Sequence, residues 1–101
     1  MSGLAYEVGV SLEPARGEAF EEFMRGHHVP AVLASGCFSG AHFERLAPGE
    51  YRTRYAAATP GDLERYLADH APRLRGDFAA SFGDAARVTR ETWETLEGWG
   101  R

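Results

Sequence analysis

The chain contains no lysine, asparagine, glutamine or isoleucine, and it has one cysteine. All eleven basic residues are therefore arginine. Without lysine there is no Schiff-base chemistry and no P-loop lysine. Without asparagine or glutamine, no side-chain carboxamide can build an oxyanion hole. Codon bias in a GC-rich bacterial genome accounts for these absences, and the chemical exclusions stand regardless. A lone cysteine excludes an internal disulfide framework and any cysteine-pair zinc site. No apolar stretch approaches the length of a membrane span. Met1 to Glu7 runs into a strand-like pattern with no basic start and no apolar h-region, so no secretory signal is read there. A formal net charge of -4 argues against nucleic acid or anionic membrane as a partner. These exclusions set the expectation of a cytoplasmic protein.

What remains is ordinary globular material. The chain has 101 residues, 44% hydrophobic and 26% charged, which suffices for one core and not two. A single domain is expected over residues 1–97, with a short tail at 98–101. Leu4, Tyr6, Val8, Val10 and Leu12 alternate with Ala5, Glu7, Gly9 and Ser11, the pattern of a half-buried strand. Glu13-Pro14 ends it, and Phe20, Phe23, Met24, His27 or His28, Ala31 and Val32 then recur at helical spacing up to about Leu33. Cys37 to Leu46 reads as a second strand, Pro48-Gly49 as a turn, and Tyr51 to Ala58 as a third strand. Thr59-Pro60-Gly61-Asp62 has the form of a helix start, followed by one apolar stripe from Leu63 through Leu74 to Phe82. Ala86 to Leu96 is the fourth strand by β propensity.

The order β-α-β-β-α-β predicts an α+β, ferredoxin-like fold, a four-stranded antiparallel sheet with both helices on one face. His28-Val29-Pro30 and His70-Ala71-Pro72 form a faint internal repeat, consistent with the pseudo-twofold of such a fold. The uncovered sheet face would carry Ala5, Gly9, Phe38 or Phe43, Arg52 and Arg54. Covering it by a second copy predicts a homodimer through the sheet.

Several segments carry a family likeness. They are Leu4 to Val8, His28-Val29-Pro30 with Gly36 to Ala41, and Tyr66 to Arg75 continuing through Phe82-Gly83-Asp84 to Arg87 and Arg90. Together they resemble a family of short bacterial proteins of undetermined function. That family is similar to the dimeric α/β-barrel superfamily, in which two ferredoxin-like protomers join sheet to sheet. The resemblance spans nearly the whole chain, with His70-Ala71-Pro72-Arg73-Leu74-Arg75 its most specific run. Arg52 and Arg54 around Thr53, and Ala86 at a usually aromatic position, depart from the pattern and put a shared ligand in question. The superfamily includes antibiotic-biosynthesis and haem-degrading monooxygenases, lactone isomerases and ligand-binding stress proteins. It therefore implies a fold and a cleft without a reaction.

The chemistry-bearing residues leave alternatives open. His28 and His70 each precede a proline by two residues, and each proline frees a carbonyl four residues back, Gly26 or Ala68. An imidazole donating to such a carbonyl is the preferred, structural reading. In the functional reading His70 faces a cleft and acts as acid–base group or as a haem ligand. His27, His28 and His42 match no metal pattern, since adjacent helical residues point about 100° apart. Cys37 reads as a small buried hydrophobe, and Ser35 and Ser39 lack a nucleophile elbow. Most aromatics are expected in the core. If the helices stand off the sheet, Tyr6, His28, Tyr55, Tyr66, His70 and Trp93 would line an apolar cleft suited to a planar aromatic ligand. Arg52, Arg54, Arg73, Arg75, Arg87 and Arg90 would pair with Glu7, Asp69, Asp77 and Glu91 across strands and at the dimer seam, the preferred reading, or else clamp an anionic ligand. The leading expectation is a homodimer binding a small apolar or aromatic molecule, with no metal and no cofactor, haem being the lesser alternative. A cofactor-free monooxygenase or isomerase using His70, and a purely structural dimer, are the other two.

Overall fold

In a computed structural model, residues 3–100 are described. Met1, Ser2 and Arg101, which belong to the expected domain start and tail, lie outside the described residues. Four strands, β1 (Leu4–Ser11), β2 (Gly40–Ala47), β3 (Glu50–Ala57) and β4 (Arg87–Glu94), form one antiparallel sheet in the order β2-β3-β1-β4. The helical segments are α1 (Gly17–Phe23), α2 (Val29–Leu33), α3 (Pro60–Asp69) and α4 (Ala71–Phe82). This is the ferredoxin-like α+β arrangement, with β1 and β3 in the middle of the sheet.

Strand alternation decides which face meets the helices. Tyr6 and Val10 of β1, with Tyr51, Thr53, Tyr55 and Ala57 of β3, are buried beneath the helices. Register carries the same face across the sheet, because Val8 stands opposite both Thr53 and Arg90, and Val10 opposite Val88. Gly49 turns the β2–β3 hairpin at a φ of +83°, and its carbonyl accepts from the Leu12 amide at 2.9 Å. A Cβ there would run into the Leu12 carbonyl oxygen at 2.3 Å, so glycine is required for conformation and space alike.

The predicted helices form, but each is interrupted near its His-x-Pro unit. The first passes from α1 into α2 through a π-helical turn, Met24–His28. Pro30 lacks an N–H and would crowd the Gly26 carbonyl, and the wider turn absorbs that conflict. The second breaks outright at His70, whose φ of −124° leaves the helical region before α4 restarts with Pro72 in its first turn. The single apolar stripe expected from Leu63 to Phe82 is thus two helices. The two His-x-Pro units solve the same proline problem differently.

The uncovered face differs from expectation in its aromatics. Phe38 precedes β2, where strand alternation does not apply, and it is buried beside Tyr6, Tyr55 and Tyr66. Phe43 pairs in register with Thr53 on the helix side and stacks on Tyr51. The open face instead carries ion pairs, Arg54–Glu7 at 3.1 Å and Arg52–Glu44 at 2.7 Å. Trp93, opposite Ala5, also lies on it.

Candidate functional site

The buried side chains fall into two clusters. One gathers Tyr6, Phe38, Tyr55, Leu63, Tyr66 and Leu74 with their neighbours; the other gathers Val10, Phe20, Met24, Tyr51, Phe78 and Phe82. Val8 touches both and is buried by neither, although it lies mid-strand on the helix side of an inner strand. A central position of that kind is ordinarily sealed. Its partial exposure marks a cleft at the seam of the two clusters.

The sheet side of this cleft is formed by Tyr6, Val8, Val10, Tyr55, Val88 and Arg90. Its helix side is formed by Met24, His28, Tyr66, Arg75 and Phe78. Between the facing side chains only about 30 Å³ is open, room for a water molecule. The resting cleft is therefore a narrow slot, and a ring system can enter only when side chains at the rim swing aside. Arg75 and Arg90, both exposed, are the groups at the rim free to do so.

Polar atoms in the slot are few and placed singly. The Arg75 guanidinium donates to the Tyr6 hydroxyl at 2.9 Å, holding the phenol against α4. His28 sits where the π-turn hands over to α2, packed against Phe23 and Phe78. Its Nδ1 is buried and has no hydrogen-bond partner. Burial pushes the His28 imidazole below its ordinary value, and the positive charges of His27 and Arg90 push it further while Asp77 opposes them. The ring is consequently neutral near pH 7. Tyr66 is pushed up to about 12 by burial and by Tyr6, with Arg75 and Arg90 pulling the other way. Burial also raises Tyr55, so the phenols of Tyr55 and Tyr66 are protonated donors.

Tyr6, His28, Tyr55 and Tyr66 are thus brought together at the slot. His70 does not line it; it stacks on Tyr66 at 6.3 Å, and its own Nδ1 is buried without a partner. No bond from either imidazole to the Gly26 or Ala68 carbonyl accompanies the proline breaks. Trp93 lies on the opposite sheet face and is 50% exposed, because its parity in β4 is opposite to that of Val88 and Arg90. Among the candidate arginine pairs, Arg54 meets Glu7, whereas Arg75 and Arg90 meet no carboxylate among the described residues. Their place in the slot is what the sequence reading missed. The signal for Arg90 was available in the alternation counted from Val88.

His27 is exposed, and His42 lies on the open face away from His28. Among the described residues, no group of three or more His, Cys, Asp or Glu side chains is placed to hold a metal ion. His70, the imidazole offered to haem, does not line the slot.

A half-open antiparallel sheet in the order β2-β3-β1-β4 under one broken helix layer defines a ferredoxin-like α+β protein. Solved structures similar to this chain bear that out at the level of fold. A protein of unknown function from Nitrosomonas europaea is 16% identical with a TM-score of 0.77, over 100% of this chain and 96% of its own. A Caulobacter crescentus protein, provisionally described as an antibiotic biosynthesis monooxygenase, is 15% identical with a TM-score of 0.73, over 95% and 92%. SnoaB, a cofactor-independent oxygenase from Streptomyces nogalater, is 14% identical with a TM-score of 0.71, over 98% of each chain. A search of curated proteins gives no significant match. The chain belongs to the family described as Domain of unknown function (DUF4286), which matches residues 4–96.

Proposed function

We propose that this protein binds a small, flat, apolar or aromatic molecule in the slot between β1, β4 and the helix layer. The observation that supports the reading is the incompletely buried Val8, at the seam of two otherwise closed core clusters in a cleft lined by Tyr6, Tyr55 and Tyr66. The protein's own groups supply binding without a cofactor: aromatic walls for the ring, and protonated phenols for a polar substituent. A second reading, a cofactor-independent monooxygenase or isomerase, draws on what SnoaB is described as and on one observation here. The neutral His28 imidazole stands in the slot, so His28 rather than His70 is the group positioned to accept a proton from a bound acid.

The functional unit in this proposal is a homodimer joined through the open sheet face. Trp93 is half-exposed on that face, and the extended segment that follows carries Leu96 and Trp99, 89% and 85% exposed. Such a run of large apolar side chains fits a second copy better than it fits water. The face itself mixes Arg52, Arg54 and Arg87 with Glu7, Glu44 and Glu91, so twofold packing sets both signs against both.

The test of slot binding is a titration with 9-anthracenemethanol, a neutral fluorescent ring. Val8→Trp, which fills the slot from the sheet side, should abolish binding while the far-ultraviolet spectrum is retained. Leu67→Ala, exposed on α3 and outside the slot, should leave binding unchanged. Binding that survives Val8→Trp, or that disappears in Leu67→Ala, would place the ligand elsewhere.

A further inference from the structure

We propose that the ligand of the slot is an anion, an aromatic carboxylate or an equally acidic oxygen, and that Arg75 and Arg90 together receive its charge. The inference rests on the slot-binding reading above and adds the chemical class of the ligand.

Three observations carry it. First, the two guanidiniums approach from different layers, Arg75 from α4 and Arg90 from β4, yet both line the same slot. Arg90 projects from the helix-facing side of its strand, opposite the unsealed Val8. Second, neither has an acidic partner within 4 Å; Arg16, Arg73 and Arg87 share that property, but only Arg75 and Arg90 combine it with a place in the slot lining. The one polar contact recorded for the pair is to a neutral phenol, Arg75 to Tyr6. Third, both positive charges are felt inside the slot: each acts on Tyr66, and Arg90 acts on His28 as well. The acidic influence felt at His28, Asp77, forms no ion pair with either arginine.

Two unneutralised cations at the mouth of an aromatic slot make a poor arrangement for a neutral hydrocarbon and a good one for a ring bearing an acid. The ring would lie among Tyr55, Tyr66 and Phe78, and the acidic oxygens would take guanidinium N–H donors. Tyr6, already turned to Arg75, would add a hydroxyl. The same contact explains the narrow resting slot, since Arg75 bridged to Tyr6 partly closes it until an anion competes for the guanidinium.

The test pairs 9-anthracenecarboxylate with 9-anthracenemethanol, the same ring with and without the charge. The carboxylate should bind at least about tenfold more tightly at low salt, with the preference shrinking as salt is raised. Arg75→Met with Arg90→Met keeps much of the apolar stem and removes both charges. That variant should lose the preference while the alcohol's affinity stays within about twofold. Arg65→Met, on α3 and outside the slot, should leave the preference intact. Equal affinities for acid and alcohol would overturn the anion proposal and keep slot binding. A preference that survives the double variant, or disappears with Arg65→Met, would overturn it too. Failure of both probes to bind would remove both readings.

Discussion

His28 shows how one side chain can be half legible. Its place on an apolar helix stripe and its spacing from Pro30 were readable, because helical periodicity and proline chemistry are local. That it stands at a slot, neutral and with an unpartnered Nδ1, depends on the packing of α4 and β4, which no local pattern contains. The burial has a consequence for pH. In the folded protein the imidazole takes up a proton less readily than in the unfolded chain, where its value is near 6.5. The stability contributed by the neutral ring is complete above that value and is lost as pH falls through it towards the lower folded one. Melting temperature should therefore decline from about pH 6.5 downwards, and His28→Leu should flatten that part of the profile. An unchanged decline in the variant would assign it to other groups. Trp93 was misjudged at the same scale for a different reason. β4 is an edge strand with few apolar residues, so its inward parity is fixed by Val88 alone, and tryptophan falls on the opposite count.

Among the elements, the strands were the most legible, and for a physical reason. Tyr51, Thr53, Tyr55 and Ala57 alternate so regularly with exposed or half-exposed partners that one burial face follows directly. Helix starts were legible where capping chemistry is explicit. The Thr59 hydroxyl accepts from the Asp62 amide at 3.1 Å, and Pro60 occupies the first turn, as the sequence Thr-Pro-Gly-Asp implies. Thr59→Ala should cost about 1 kcal/mol in urea unfolding, and Thr59→Ser should restore most of it. A silent Thr59→Ala would mean that α3 is held by Leu63 and Tyr66 alone. Less legible were the interruptions of both helices. A proline within a helical pattern announces a conflict, but whether the chain widens into a π-turn, as at Met24–His28, or breaks, as at His70, is decided by what each helix packs against.

For the whole molecule, element order alone specified the ferredoxin-like sheet, because two helices alternating with four strands leave few ways to bury both. The open face was legible in part: Arg52 and Arg54 stand on it as expected, whereas Phe38 and Phe43 turn inward. The case for a second copy accordingly moves to Trp93, Leu96 and Trp99. Light scattering behind size exclusion at micromolar concentration should give twice the chain mass, and Leu96→Ser with Trp99→Ser should shift it towards one chain. A monomer in the unaltered protein would end the dimer proposal. The central claim concerns the slot, and an amide-resolved NMR titration of the labelled protein with 9-anthracenecarboxylate tests it most directly. The account predicts shifts concentrated at Val8, His28, Tyr66, Val88 and Arg90, spanning both layers around the seam. Shifts confined to the open face around Trp93 and Thr89, or none at saturation-level ligand, would contradict it.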